Sequence, residues 1–215
     1  MTLEQSSISH ASSSETRFRV LVITEESATQ TSSGKVLPAE NLYKGSFLEV
    51  RRFLDELRGG GEAKLLILSS SKGAVSGQDM LTKYTVAPVS PSPPPNVAEA
   101  LARAIRNASD EGMAVIVALS YTYLRWIIQP PKGIGHFASL MNARVAVVTG
   151  GRARGRLAEF ARIRRCRWLV LPRVGVTRLG RKNRQAILRW LFDENESLVV
   201  AGSPFESQIE AGEGG

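Results

Sequence analysis

The chain has 215 residues, 43% of them hydrophobic, and a net charge of +8, with two histidines and a single cysteine. That length supports one well-buried core and one domain, and no run of about 18 uncharged apolar residues is present to span a membrane. Cys166 alone excludes an internal disulfide or a thiolate cluster, and His10 and His136 leave almost nothing for a histidine metal site or a serine–histidine triad; no metal and no cofactor is expected, and a reducing, cytoplasmic setting fits best.

Residues 1–16 are serine-rich and polar without an apolar stretch, which reads as a disordered tail rather than a secretory signal. Arg19 to Thr24 predicts a first strand and Glu25 to Gly34 a polar loop after it. Phe47, Val50, Leu54 and Leu57 recur at helical spacing from Ser46, a plausible cap, to Arg58, and Gly59 to Gly61 end the helix. Leu65 to Leu68 is the second strand, with Ser69, Ser70, Ser71, Lys72 and Gly73 directly behind it. The prolines between Thr82 and Asn96 suit neither a helix nor a central strand and predict a long extended surface connection. A helix from Val97 to Asn107 then turns Val97, Leu101, Ala104 and Ile105 inward, and Met113 to Leu119 forms the third strand. Ser120 caps a short helix with Tyr121, Tyr123, Leu124, Trp126 and Ile127, aromatics that read as core or protein interface ahead of base-stacking platforms.

Pro130 to His136 is a loop, and Val145 to Val148 is an apolar run of the kind a parallel strand buried on both faces needs. Thr149, Gly150 and Gly151 break it, and Leu157, Phe160, Ala161 and Ile163 resume at helical spacing. Arg167 to Leu171 is the fifth strand, a helix runs from Lys182 to Phe192 on Ile187, Leu188, Trp190 and Leu191, and Leu198 to Ala201 is a last edge strand before a frayed Gly/Glu-rich end, residues 204–215. Strands alternating with helices over residues 17–203 predict a single-domain, Rossmann-like three-layer α/β sandwich with a mostly parallel sheet of about five strands.

The charge is unevenly spread. Thirteen Arg or Lys lie between Gly150 and Trp190 against one acid, Glu159, so that segment carries +12 and the remainder −4. A basic end on a mildly acidic body suits a polyanionic partner, and twelve of the thirteen are arginine, whose planar fork matches phosphate. The turn and first helical residues after the fourth strand, Gly150, Gly151, Arg152, Arg154, Gly155 and Arg156, together with Arg181, Lys182 and Arg184, are candidate phosphate contacts, because a glycine turn feeding a helix N-terminus exposes N–H groups and partial positive charge. The plainer alternative is an ordinary strand-to-helix turn with solvated arginines. Thr24, Ser27, Ser69, Ser70, Ser71 and Gly73 fall at the carboxyl ends of the first two strands and are candidate edges of a nucleotide pocket. Glu25 or Glu26 could serve there as general base and Lys72 as nucleophile or oxyanion stabiliser, whereas the plain reading of Glu25 and Glu26 is a solvated pair in a loop.

Leu42-Tyr43-Lys44-Gly45 with Phe47 and Arg51, then Leu68-Ser69-Ser70-Ser71-Lys72-Gly73-Ala74-Val75, then Tyr84, resemble the LY-x-G-x-F and LSA-K-x-G-L motifs of small YaaA-like α/β domains, and more remotely the core domain of archaeosine synthase, a tRNA-modifying enzyme. The resemblance spans roughly residues 18–128, adds Tyr43 to the pocket edge and implies tRNA or DNA metabolism. Where that pattern has a cysteine and a lysine after the first strand, this chain reads Thr24-Glu25-Glu26-Ser27; Lys35 or Lys72 would have to substitute for the lysine, or the activity is lost. Three functions follow as expectations: a nucleic-acid-associated protein binding structured RNA ahead of DNA through its arginine-rich half; a nucleobase- or nucleoside-modifying enzyme of transferase or glycosidase type; or a subunit of a larger assembly using Tyr121 to Trp126 as a protein interface.

Overall fold

The computed structural model describes residues 18–32, 34–128, 140, 142–173 and 179–192, with the backbone alone at 152. Its elements are β1 (Arg19–Glu25), β2 (Leu37–Pro38), α1 (Ala39–Leu42), α2 (Phe47–Arg58), β3 (Glu62–Ser69), β4 (Gly73–Ser76), β5 (Met80–Leu81), α3 (Pro95–Asp110), β6 (Ala114–Ala118), α4 (Tyr121–Ile128), β7 (Val145–Thr149), α5 (Gly151–Ile163), β8 (Trp168–Pro172) and α6 (Arg181–Phe192). Six strands form one sheet in the order β4-β3-β1-β6-β7-β8, and β2 pairs with β5 as a small antiparallel ribbon. Within the large sheet only β4 runs antiparallel, against β3.

The strands are apolar on both sides because both sides are covered. Leu21, Ile23, Val115, Val117, Val145, Val147, Trp168 and Val170 pack with Leu101 of α3, Leu124 of α4 and Leu157 of α5. Their alternate neighbours Val20, Val22, Ile67, Ile116, Val148, Leu169 and Leu171 pack with Phe53 and Leu54 of α2 and Ile187 and Trp190 of α6. The connection from β1 to β3 therefore crosses one face, and the connection from β3 to β6 the other. Strand order reverses between β1 and β6, and in sheets of this kind the crevice at the carboxyl ends of the two strands flanking the reversal is where ligands bind.

Several expectations need correction. Glu25 and Glu26 are not a solvated pair: they are 9% and 8% exposed, because β1 extends to Glu25 and later segments cover its end. Ile163 does not face inward but is 60% exposed, since α5 ends there and the chain turns away. Ser46 sits at the N-cap of α2 in helical conformation and makes no side-chain cap bond. The serine-glycine run is less loop than expected: β3 extends through Ser69, and Gly73 opens β4, buried with its would-be Cβ 3.2 Å from Val97 Cγ2 of α3. Tyr123 and Trp126 are buried in the core, which leaves Tyr121 as the exposed aromatic of α4. The helix expected from Val97 spans Pro95–Asp110. The proposed strand at Leu198 to Ala201, the loop at Pro130 to His136, both histidines and both tails lie outside the described residues. Cys166 is buried among the residues under α5, and burial pushes its thiol pKa up.

Candidate functional site

Because β1, β3, β6, β7 and β8 are parallel, their carboxyl ends share one rim of the sheet, and both groups of candidate residues lie along it. The first group is organised by Glu26, one residue beyond β1. Five hydrogen bonds from described residues converge on its carboxylate. Oε2 accepts from Ser69 Oγ at 2.7 Å and Tyr84 Oη at 2.6 Å, and Oε1 accepts from Ser70 N at 2.6 Å, Ser70 Oγ at 2.7 Å and Tyr123 Oη at 2.8 Å. Burial by itself would raise the pKa of this carboxyl, but the donors from Ser69, Tyr84 and Ser70 outweigh it and hold the group below the usual carboxylate range. With the Tyr84 proton given to Glu26, Tyr43 is the donor in the 2.5 Å contact between the two phenols. Burial pushes the Tyr43 hydroxyl up to about 12, and the Glu26 charge adds to it. Burial and then the bond to Glu26 raise Tyr84 and Tyr123 as well. The adjacent Glu25 accepts from the Ser120 amide at 2.6 Å, tying β1 to the turn after β6 across the point of strand reversal.

The proline-rich connection is a strap over this rim. Tyr84 N donates to Gln30 Oε1 at 3.0 Å, Ser71 Oγ donates to Thr85 O and accepts from Ala87 N, and Trp126 Nε1 donates to Ser90 O at 2.9 Å. Ser70 Oγ lies 2.6 Å from Ala87 O as well as 2.7 Å from Glu26, and its one proton serves either acceptor at a time. The expected surface segment is thus fastened to the serines of the β3 end, to Gln30 and to Trp126. Lys72 is exposed, with Nζ 5.2 Å from the centre of the Tyr84 ring.

Beside the Glu26 cluster lies an open cleft of about 310 Å³, lined by Thr24 to Thr29 and by Ser46, Phe47 and Val50 of α2. It is polar along its strand side and apolar along α2. The second group of candidates lies further along the same rim. On the α2 side Arg184, in the first turn of α6, contacts Glu49 in the first turn of α2, with Glu56 3.4 Å from its Nε. These ion pairs dock the first turn of α6 along the side of α2, and Arg181 and Lys182 are exposed at the start of α6. On the other face Gly150 caps α5 in extended conformation, and neither α5 nor α6 has an acid in its first turn.

Of the predicted residues, Ser69, Ser70 and Tyr43 meet around Glu26; Thr24 and Ser27 line the cleft; Ser71 holds the strap; Gly73 packs against α3. Gly150, Gly151, Arg154, Gly155 and Arg156 lie on the cap and first turns of α5, Gly155 inside the helix and not in the turn, whereas Arg184 is engaged with α2. The other arginines divide: α5 carries Arg162 to its far end, and Arg164, Arg165 and Arg167 lie beyond it at the opposite rim. Tyr84 and Tyr123 as partners of a buried carboxylate were missed, although two adjacent acids at the end of an apolar strand are a signal that such partners must exist. Among the described residues no group of three or more His, Cys, Asp or Glu could hold a metal ion, and no helix is long and apolar enough to cross a membrane. Comparison of the chain with protein-family models, curated proteins and solved structures found no match.

Proposed function

We propose that the protein binds nucleic acid, structured RNA ahead of DNA, along the carboxyl rim of its sheet. The observation that carries this reading is the placement of two acid-free helix N-termini, those of α5 and α6, on the same rim as a nucleoside-sized cleft at the strand reversal. Strands in a sheet are spaced about 4.8 Å apart, so the ends of β7 and β8 stand roughly 10 to 14 Å from the end of β1, a span that one or two nucleotides bridge. Phosphates at the helix starts supply affinity and register, and the cleft accepts a base or ribose. The likeness of Tyr43, Ser69 to Val75 and Tyr84 to the YaaA-like motifs points the same way.

The test is binding of the full chain to tRNA, duplex DNA and single strands at several salt concentrations. Affinity for tRNA is expected to exceed that for duplex DNA and to fall steeply with salt. Substituting Arg156, Arg181 and Lys182 by glutamine should weaken binding across sequences and flatten the salt slope by about one unit for each phosphate no longer neutralised. An unchanged slope removes the rim from the interface.

A further inference from the structure

We infer that the turn between β7 and α5 is a seat for a phosphomonoester dianion, a single terminal phosphate. The inference deepens the proposed nucleic-acid function and depends on it only for where that phosphate comes from.

Thr149, the last residue of β7, is 1% exposed, and its Oγ1 has no hydrogen-bond partner among the described residues. Buried hydroxyls in native proteins are nearly always paired, so an orphan at a strand end calls for a missing ion, water or ligand. Its direction follows from strand alternation. Thr149 shares the sheet face of Val145 and Val147, which pack in the cluster that holds Ala153, Leu157 and Ala161 of α5. The orphan hydroxyl therefore points beneath the first turn of that helix.

The turn above it is built for close approach. Gly150 caps the 13-residue α5 without any side-chain bond, and no acid stands in the first turn, so the helix start keeps its amides and partial positive charge for an anion. Gly151 has φ +57°, is exposed, and a Cβ there would meet no atom within 4 Å. That conformation is strained for any other residue, and the space beside it is open. On the neighbouring side, Arg173 walls the turn: its Cβ lies 3.8 Å from where a Cβ on Gly150 would sit, and its amide donates to Thr149 O at 2.9 Å. A monoester matches these donors, presenting three terminal oxygens and up to two charges to the amides and, after a rotamer change, to the Thr149 hydroxyl. A diester offers only two free oxygens and one charge to the same amides.

Calorimetric titration of the full chain with inorganic phosphate is the direct test, on the wild type and on Thr149→Val, which keeps the side-chain shape and removes the hydroxyl. Phosphate is expected to bind the wild type and to bind Thr149→Val roughly tenfold more weakly, the size of one hydrogen bond to a charged group. The melting temperature of Thr149→Val should be unchanged or higher, because a buried orphan is replaced by a methyl, and this separates weakened binding from impaired folding. Gly151→Ala should weaken phosphate binding too. Absence of phosphate binding to the wild type, or equal binding to Thr149→Val, overturns the inference.

Two further probes distinguish the sources. A 5′-phosphorylated oligoribonucleotide binding more tightly than its 5′-hydroxyl counterpart, with the gain abolished in Thr149→Val, identifies a strand end as the ligand. A gain confined to a nucleoside 5′-monophosphate identifies a free nucleotide, and either result supports the seat. Failure of every oligonucleotide to bind at low salt, with Thr149-dependent phosphate binding intact, discards nucleic-acid binding and keeps the seat; salt-steep RNA binding indifferent to Thr149 does the reverse.

Discussion

The two halves of the carboxyl rim treat their polar groups in opposite ways. At the ends of β3, β1 and β6, a buried acid is surrounded by hydroxyls and an amide that satisfy it, and a proline-rich strap is fastened over the assembly. At the ends of β7 and β8, the first turns of α5 and α6 hold no acid, α5 has no side-chain cap, exposed cations stand at the start of α6, and a buried hydroxyl has no partner among the described residues. Polar residues that answer one another hold a fold together. Those left unanswered are the ones a ligand can use. Residue type alone does not separate these cases, since the serines and tyrosines of the first half look as functional in the sequence as the arginines of the second.

The contrast can be broken most severely at Glu26. Glu26→Ala strands the donors of Tyr84, Tyr123 and Ser69 in a buried setting, and a loss of about 3 to 5 kcal/mol in chemical denaturation is expected; a loss under about 1 kcal/mol would mean the cluster is not structural. Tyr84→Phe removes one donor to Glu26 and the acceptor of Tyr43, for about 1 to 2 kcal/mol, and should also loosen residues 82–90, read as faster amide exchange there.

Titration sharpens the same point at both ends of the pH scale. The folded Glu26 carboxyl sits below its ordinary 4.5, so its contribution to stability is present above that value and is lost as pH falls through the depressed one. Tyr43 is raised from 10.0 to about 12, so its contribution is intact below pH 10 and declines as pH rises between those values. Glu26→Gln should flatten the acid limb, and Tyr43→Phe the alkaline one. The smallest effect belongs to Ser46→Ala: its side chain makes no cap bond, so a change within about 0.5 kcal/mol is expected although it occupies an N-cap position.

The doubly wound core was legible because β1, β6 and β7 are short apolar runs separated by helical periodicity, and periodicity survives without tertiary information. Strands of two residues such as β2 and β5, and a four-residue β4, lie below what periodicity can register. The burial of Glu25 and Glu26 was illegible for another reason. Two acids ahead of a serine- and threonine-rich loop look solvated, and the residues that cover Glu26 lie 58 and 97 positions further along. The arginine cluster, continuous in sequence, is not one face in space. A 13-residue helix is about 20 Å long, so neighbours in sequence at its two ends are delivered to opposite rims.

The single cysteine gives the molecule its own clock. Cys166 is buried under α5 and its thiol is held protonated by burial, so a thiol-modifying reagent can reach it only when that side of the sheet opens. With no second thiol in the chain to confuse the signal, the rate of modification in native buffer reads the opening free energy of the β7–α5–β8 unit alone. A ligand seated at the start of α5 would slow that reaction before its own chemistry was known.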